Sequence, residues 1–343
     1  MKFFNFFTQE LALDLGTANT LIIQNDKVVV DEPSIVAINR NTNEVIAVGH
    51  KAMQMHEKTH DNIKTIRPLK DGVIADFQAA EALIQGLIGM LGEKRRFFTH
   101  LKMVICIPSG ITEVEKRAVF DSADHVDSKE TYLIHEPMAA ALGIGLAVEE
   151  PAGHMIVDIG GGTTEIAVIA LAGIVTDQSI RIAGHEFTND IIDYMKRKHN
   201  ILIGERTAEQ IKIHAGAAIA DIQDPPSKFA VNGRDMLTGI PKQVFTTHIE
   251  IAEALDKSIA KIEEAVIKAL EDTPPELSSD IYRTGIFLTG GGALLRGLDK
   301  RMSAKTKLNV QVAEDPLRAV VRGTGMALKN SHKYSFLMDR KSI

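Results

Sequence analysis

One pattern constrains this chain more than any other. The stretch LALDLGTANTLII, residues 11–23, is nearly restated further on as MIVDIGGGTTEIAVI, residues 155–169. Each copy is an apolar run ending in Asp-x-Gly, then small hydroxyl residues, then a second apolar run. That is a β-hairpin whose turn carries an acid, glycine and threonines. Gly16 in the first turn, and Gly160, Gly161 and Gly162 in the second, let backbone N–H groups approach a bulky anion. Thr17, Thr20, Thr163 and Thr164 add hydroxyls. Asp14 and Asp158 end their strands at the same place relative to each turn. A carboxylate there suits a hydrated Mg²⁺, which keeps several waters and bridges to phosphates. Two such hairpins facing each other would clamp a polyphosphate; two unrelated glycine turns with locally capping aspartates are the plainer alternative. Recurrence in two similar halves favours the clamp.

The rest of the chain fits two α/β halves. At 343 residues it exceeds the usual single-core limit. Strand-like runs fall at 11–14, 20–23, 27–31, 34–39, 45–48 and 102–107, and helical ones at 76–91 and 112–125. Thr112 and Glu115 have capping-box spacing. After the second hairpin come helices at 189–198 and 207–217. Leu255, Ile259, Ile262, Val266 and Leu270 then form one apolar helix stripe, closed by Pro274-Pro275. GIFLTGGGALLRGLDKRM reads as strand, triple glycine, helix, so Gly290, Gly291 and Gly292 would sit at a helix N-terminus and face a ligand.

Several classes are excluded. No G-x-x-x-x-G-K-[ST] occurs, so this is no P-loop NTPase. A net charge of −6 gives no reason for nucleic-acid binding. One cysteine, Cys106 in MVICIP, excludes an intramolecular disulfide, fits a reducing cytoplasm, and reads as a buried strand thiol. No apolar run is long enough to span a membrane. Two aromatic segments remain. Phe3, Phe4, Phe6 and Phe7 form one face of a short interfacial helix beside Lys2, or else Phe6 and Phe7 simply begin the first strand. In KRRFFTHLK, Phe97 and Phe98 stand beside Arg95 and Arg96 in a predicted loop, a place suited to an interface rather than a core.

The order of these parts resembles the superfamily of actin, sugar kinases and heat-shock chaperone ATPases. It runs through a first phosphate hairpin, a connecting helix HEPMAAALGIG, a second phosphate hairpin, adenosine glycines, and a second connecting helix AVVRGTGMAL. DLGTANTLI, IRPLKDGVIADF, IPSGITEVEKRAV, EPMAAALG, DIGGGTTEIAVI and IGERTAEQIK closely resemble the MreB family of bacterial actins, over almost the whole chain. The resemblance implies an actin-like ATPase fold, α/β, with two related RNase H-like domains around a nucleotide cleft. Domain I would cover 1–150, with a small subdomain at about 32–75 and a C-terminal helix at 316–335 packing back onto it. Domain II would cover 151–330, with a small subdomain at about 183–250.

The same resemblance implies ATP or ADP and Mg²⁺ as ligands. Ala18 and Asn19 complete the first phosphate turn. Glu136 would orient the attacking water, with Thr163 beside it, and Asp14 and Asp158 would hold Mg²⁺ through water. Glu209 and Lys212 would bracket adenine and ribose, though three residues apart on one helix face they equally suit an exposed ion pair. The chain departs from the family pattern at His135 and His185. The implied function is a cytoskeletal ATPase of cell-wall elongation and rod shape. It would form antiparallel double filaments, sit in the cytoplasm at the inner face of the membrane, and partner itself, RodZ and MreC. The rivals are a sugar-kinase-like phosphotransferase, for which no Asn/Asp/Glu-rich sugar pocket is visible, a chaperone-type ATPase, for whose extra domain the chain leaves no room, and a nucleotide-holding adaptor without turnover.

Overall fold

The computed structural model describes residues 8–92 and 100–340. The expected membrane residues Phe3, Phe4, Phe6, Phe7, Phe97 and Phe98 lie outside the described residues. The chain divides into two units: Met1–Pro151, Ile169–Ile174 and Leu317–Ile343 form unit 1, and Ala152–Val168 with Val175–Pro316 form unit 2.

Unit 1 opens with the first hairpin, β1 (Thr8–Leu15) and β2 (Asn19–Gln24), continued by β3 (Lys27–Pro33). β4 (His100–Ile107) then pairs parallel to β1, and β5 (Ser128–His135) parallel to β4. Strands paired on both sides and covered on both faces read as near-continuous apolar runs, which is what MVICI is. Parity decides the faces: Leu11, Leu13, Met103, Ile105 and Leu133 enter the main core, while Asp14 and Cys106 stand on alternate positions of the same strands. Between the strands lie α1 (Phe77–Gly89), α2 (Glu113–Asp124) and α3 (Glu136–Gly143). Asp76 caps α1 by accepting from the Ala79 N–H, and α2 carries the full Thr112/Glu115 capping box that its spacing predicts. A small antiparallel sheet of Val36–Asn39, Val45–Val48 and Ile63–Ile66 has its own core of Ile35, Ala37 and Ala52.

Unit 2 repeats the plan. β6 (His154–Ile159), β7 (Thr164–Ala170), β8 (Gly173–Ile180), β9 (Ile286–Thr289) and β10 (Val310–Val312) form one sheet in the order β8-β7-β6-β9-β10. Its helices are α4 (Gly184–His199), α5 (Glu205–Ala215), α6 (His248–Glu271), α7 (Pro275–Thr284) and α8 (Leu298–Thr306). The stripe Leu255, Ile259, Ile262 and Val266 is fully buried, and α6 starts on a Thr247/Glu250 capping box. Pro274-Pro275 does more than close α6. Pro275 starts α7, where its missing N–H costs no helical bond.

Two sequence expectations shift here. α4 begins at Gly184 rather than 189, because its first N–H groups find partners outside the helix. The triple glycine does not lead directly into a helix either. A 3-10 turn, Gly291–Leu294, follows β9, and α8 starts only at Leu298, so no α-helix N-terminus stands at these glycines.

The chain then returns to unit 1 with α9 (Ala319–Lys329) and an edge strand, β11 (Met338–Arg340), antiparallel to β5. α9 crosses α3 at Gly143 and Gly323. A Cβ on either would fall inside the carbonyl oxygen of the facing helix, at Ala319 or Ala139, so the two backbones touch.

Candidate functional site

In unit 1 the candidate residues gather at the carboxyl ends of three adjacent parallel strands, where open α/β sheets bind ligands. Asp14 on β1 is the direct register partner of Cys106 on β4, which in turn partners Ile134 on β5. Glu136 follows at the first position of α3. The Cys106 thiol donates to Asp14 Oδ1 at 3.2 Å. Burial pushes the Asp14 carboxyl up from 3.8 to about 6, opposed by that hydrogen bond. Burial also pushes the Cys106 thiol well above its usual range, and the Asp14 and Glu136 carboxylates add to this, so it stays an S–H donor.

The hydroxyls of the first turn are engaged inside the protein. Thr20 is fully buried and shares a 2.9 Å hydrogen bond with Ser34, whose hydroxyl donates to the Gly16 carbonyl at 2.6 Å. Thr17 accepts from the Gly72 N–H at 2.9 Å. These bonds fix the shape of the turn through Gly16, Ala18 and Asn19. The expectation that Thr20 donates to a ligand is therefore corrected: strand alternation turns it inward.

In unit 2, Asp158 is the penultimate residue of β6 and is 5% exposed. Gly290 packs on it with φ +77, and a Cβ there would collide with the Asp158 carboxylate and the Ile159 carbonyl. Gly292 is constrained in the same way by the Ile159 side chain, while Gly291 is exposed. The turn Gly160-Gly161-Gly162 closes by a bond from the Gly160 N–H to the Thr163 carbonyl, 2.9 Å. Thr164 is fully buried and donates to the Ile182 carbonyl at 2.6 Å.

The start of α4 clasps that turn. Gly184 N–H donates to the Gly160 carbonyl at 3.1 Å and His185 N–H to the Gly161 carbonyl at 2.7 Å, satisfying donors that a helix start leaves open. A Cβ on Gly184 would lie 3.2 Å from the Gly160 oxygen, so the glycine permits the approach. α5 locks the other side. Lys212 Nζ donates to the Gly184 carbonyl at 2.7 Å and to Thr188 Oγ1 at 3.1 Å, and pairs with Glu209 at 2.7 Å. Thr188 Oγ1 donates to Glu209 Oε2 at 2.9 Å. Glu209 and Lys212 are thus an ion pair, but a partly buried one wired to the glycine turn. Sequence reasoning missed Gly184, Thr188 and Ser34, since each acts through contacts 14 or more residues away.

Among the described residues no three acidic, histidine or cysteine side chains converge on a cation position. One carboxylate with waters and phosphate oxygens is how Mg²⁺ is usually held. The donor set therefore fits Mg²⁺ through Asp14, partly exposed and at a strand end, better than through the more enclosed Asp158. A surface groove of about 550 Å³ between α2 and β11, lined by Glu113, Lys116 and Asp339, carries none of the candidate residues. None of the described helices is long and apolar enough to cross a membrane.

The raised Asp14 carboxyl has a measurable consequence. Folding takes up a proton on this group between pH 3.8 and about 6. Its favourable contribution is full at low pH, is lost as pH rises through 6, and leaves a buried charge above. Asp14→Asn removes that charge, and at pH 7.5 is expected to raise unfolding stability by about 1–3 kcal/mol. In urea titrations the gap between variant and wild type should narrow at pH 5. A gap independent of pH would show that the charge is not what burial penalises.

A family model described as MreB/Mbl protein matches residues 8–335. Cell shape-determining protein Mbl of Bacillus subtilis is 45% identical over 328 residues, covering 95% of this chain and 98% of that protein. Cell shape-determining protein MreB of Escherichia coli K12 is 47% identical over 333 residues, covering 96% and 95%. Among solved structures, MreB5 of Spiroplasma citri bound to AMPPNP superposes with a TM-score of 0.91 at 38% identity, over 96% of this chain and 98% of that one. The same protein bound to ADP gives 0.90. A MamK double helical filament gives 0.75 at 21% identity over 95% and 99%, a likeness of fold alone.

Proposed function

Since the chain belongs to the MreB/Mbl family, we propose that it is a cytoskeletal ATPase that assembles into membrane-associated antiparallel double filaments and organises cell-wall elongation and rod shape. The observation that carries the nucleotide part is the clasp in unit 2, where Gly184 and Lys212 hold the turn Gly160-Gly161-Gly162 as a preformed backbone cradle. The Spiroplasma relative bound to AMPPNP and to ADP supports the same reading.

In this reading the phosphates lie on the glycine turns, with Gly16, Thr17, Ala18 and Asn19 contributing from unit 1. Glu209 and Lys212 receive the nucleoside beside Gly290, Gly291 and Gly292. Mg²⁺, when bound, neutralises phosphate charge and orients the terminal phosphoryl group. Asp14 holds its waters, with Asp158 behind the second turn. Glu136 orients the attacking water and Thr163 lies beside it. Head-to-tail self-association is heterologous and does not close, so it yields a filament. Phe3, Phe4, Phe6 and Phe7, together with Phe97 and Phe98, attach the filament peripherally to the inner face of the membrane. Each attachment is weak, and polymerisation makes many act together. RodZ and MreC are the expected partners in the elongation machinery.

Negative-stain electron microscopy on lipid monolayers tests this, with ATP, ADP or neither, beside a Phe97→Ser/Phe98→Ser variant. Paired filaments with ATP on lipid are expected, displaced from lipid in the variant. ATP turnover without filaments under any condition would reject the cytoskeletal reading and favour a phosphotransferase.

A further inference from the structure

Cys106 stands in the row of strand ends, and the proposed function gives it no part. It is 3% exposed and is the only cysteine in the chain. On β4 its neighbours Ile105 and Ile107 face the main core. Parity turns Cys106 to the opposite face, in direct register with Asp14, whose own neighbours Leu13 and Leu15 enter that core too. Its thiol reaches Asp14 Oδ1 at 3.2 Å. Val104, Ile105 and Ile107, its neighbours along β4, have no side-chain donor.

We propose that Cys106 is a positioning residue of the nucleotide site: its S–H holds one oxygen of Asp14, so that the other is presented to a hydrated divalent cation. The inference rests on the reading of Asp14 as the cation-side carboxylate. A carboxylate on a half-covered strand end has two rotatable bonds, and one anchored oxygen removes most of that freedom. The thiol suits the place because it is neutral. A lysine or arginine donor would form an ion pair with Asp14 and compete with the cation, whereas a thiol donates without competing. Ile134, its register partner on β5, offers no side-chain donor either.

The test is nucleotide binding, followed with a fluorescent ADP analogue, with and without Mg²⁺. Cys106→Ala should reduce the enhancement of binding by Mg²⁺ by about 3–10-fold, the effect of losing one weak donor to a charged acceptor. Binding without Mg²⁺ should stay within about twofold. Cys106→Ser keeps a donor and should restore most of the enhancement. Equal loss with and without Mg²⁺ would mean a packing role and overturn the proposal, as would an alanine variant like wild type. Wild type that binds the analogue equally well without Mg²⁺ would overturn the reading of Asp14, and the proposal with it.

Discussion

Gly323→Ala should destabilise unit 1 by about 3 kcal/mol or more, through overpacking with no room to relax. The added Cβ would penetrate the Ala139 carbonyl oxygen and lie 2.8 Å from the Gly143 backbone nitrogen. Both obstacles are backbone atoms of α3, so no rotamer change removes them. The facing glycine is confined in the same way by Ala319, which makes the crossing reciprocal. Arg322, next to Gly323, donates to the Gly143 carbonyl at 3.2 Å, so a shift of α9 would break a polar contact as well. On another side of α9, a Cβ added at Gly325 would stand 3.3 Å from the Ile23 side chain, so that face also has little spare room. Thermal unfolding followed by circular dichroism should show a midpoint lower by about 5–10 °C. Gly89→Ala is the control: nothing stands within 4 Å of its Cβ position in α1, and helix propensity should stabilise it by about 0.5–1 kcal/mol. If both alanines behaved alike, the close crossing would not be a feature of the folded protein.

Much of this was legible in the sequence for identifiable reasons. The hairpins carry their own turn chemistry, and the capping boxes at Thr112 and Thr247 are local, three residues wide. The parallel strand MVICI announced itself as an uninterrupted apolar run. What stayed hidden depends on partners distant in sequence. Thr17, Thr20, Thr163 and Thr164 look alike in the motif. Only the fold engages Thr17 with Gly72, Thr20 with Ser34 and Thr164 with Ile182. Gly184 lies outside the helix expected at 189–198, and only the fold brings the Gly160 carbonyl to its N–H. The triple glycine shows the reverse problem. Its spacing matches a strand-to-helix turn, yet Gly290 and Gly292 are dictated by the bulk of Asp158 and Ile159 on a neighbouring strand. Cys106 read as a bland buried thiol because the residue that gives it a role is Asp14, on another strand.

Glu136→Gln is expected to lower ATP turnover by about 10²–10³-fold while leaving nucleotide affinity within about threefold. Glu136 begins α3 directly after the last residue of β5, and Pro137 follows at a position where its fixed φ favours helix entry. The backbone there is thus determined on both sides, and glutamine preserves volume and helix start alike. What it removes is the negative charge that, in the proposed function, polarises a water near the terminal phosphate. That charge also reaches Cys106 and helps to raise its thiol. The two acids then divide the work by environment. Asp14 accepts a hydrogen bond from a thiol inside the sheet and is proposed to face a cation, whereas Glu136 stands at a helix start; both are half-buried. Phosphate release and binding of a fluorescent nucleotide, measured on the same preparation, separate the roles. A fall in turnover with binding intact places Glu136 at the water, and filaments of the variant should then persist longer in ATP than those of wild type. Turnover within threefold of wild type would move the water-orienting role to another group. Loss of binding and turnover together would instead make Glu136 part of the phosphate cradle.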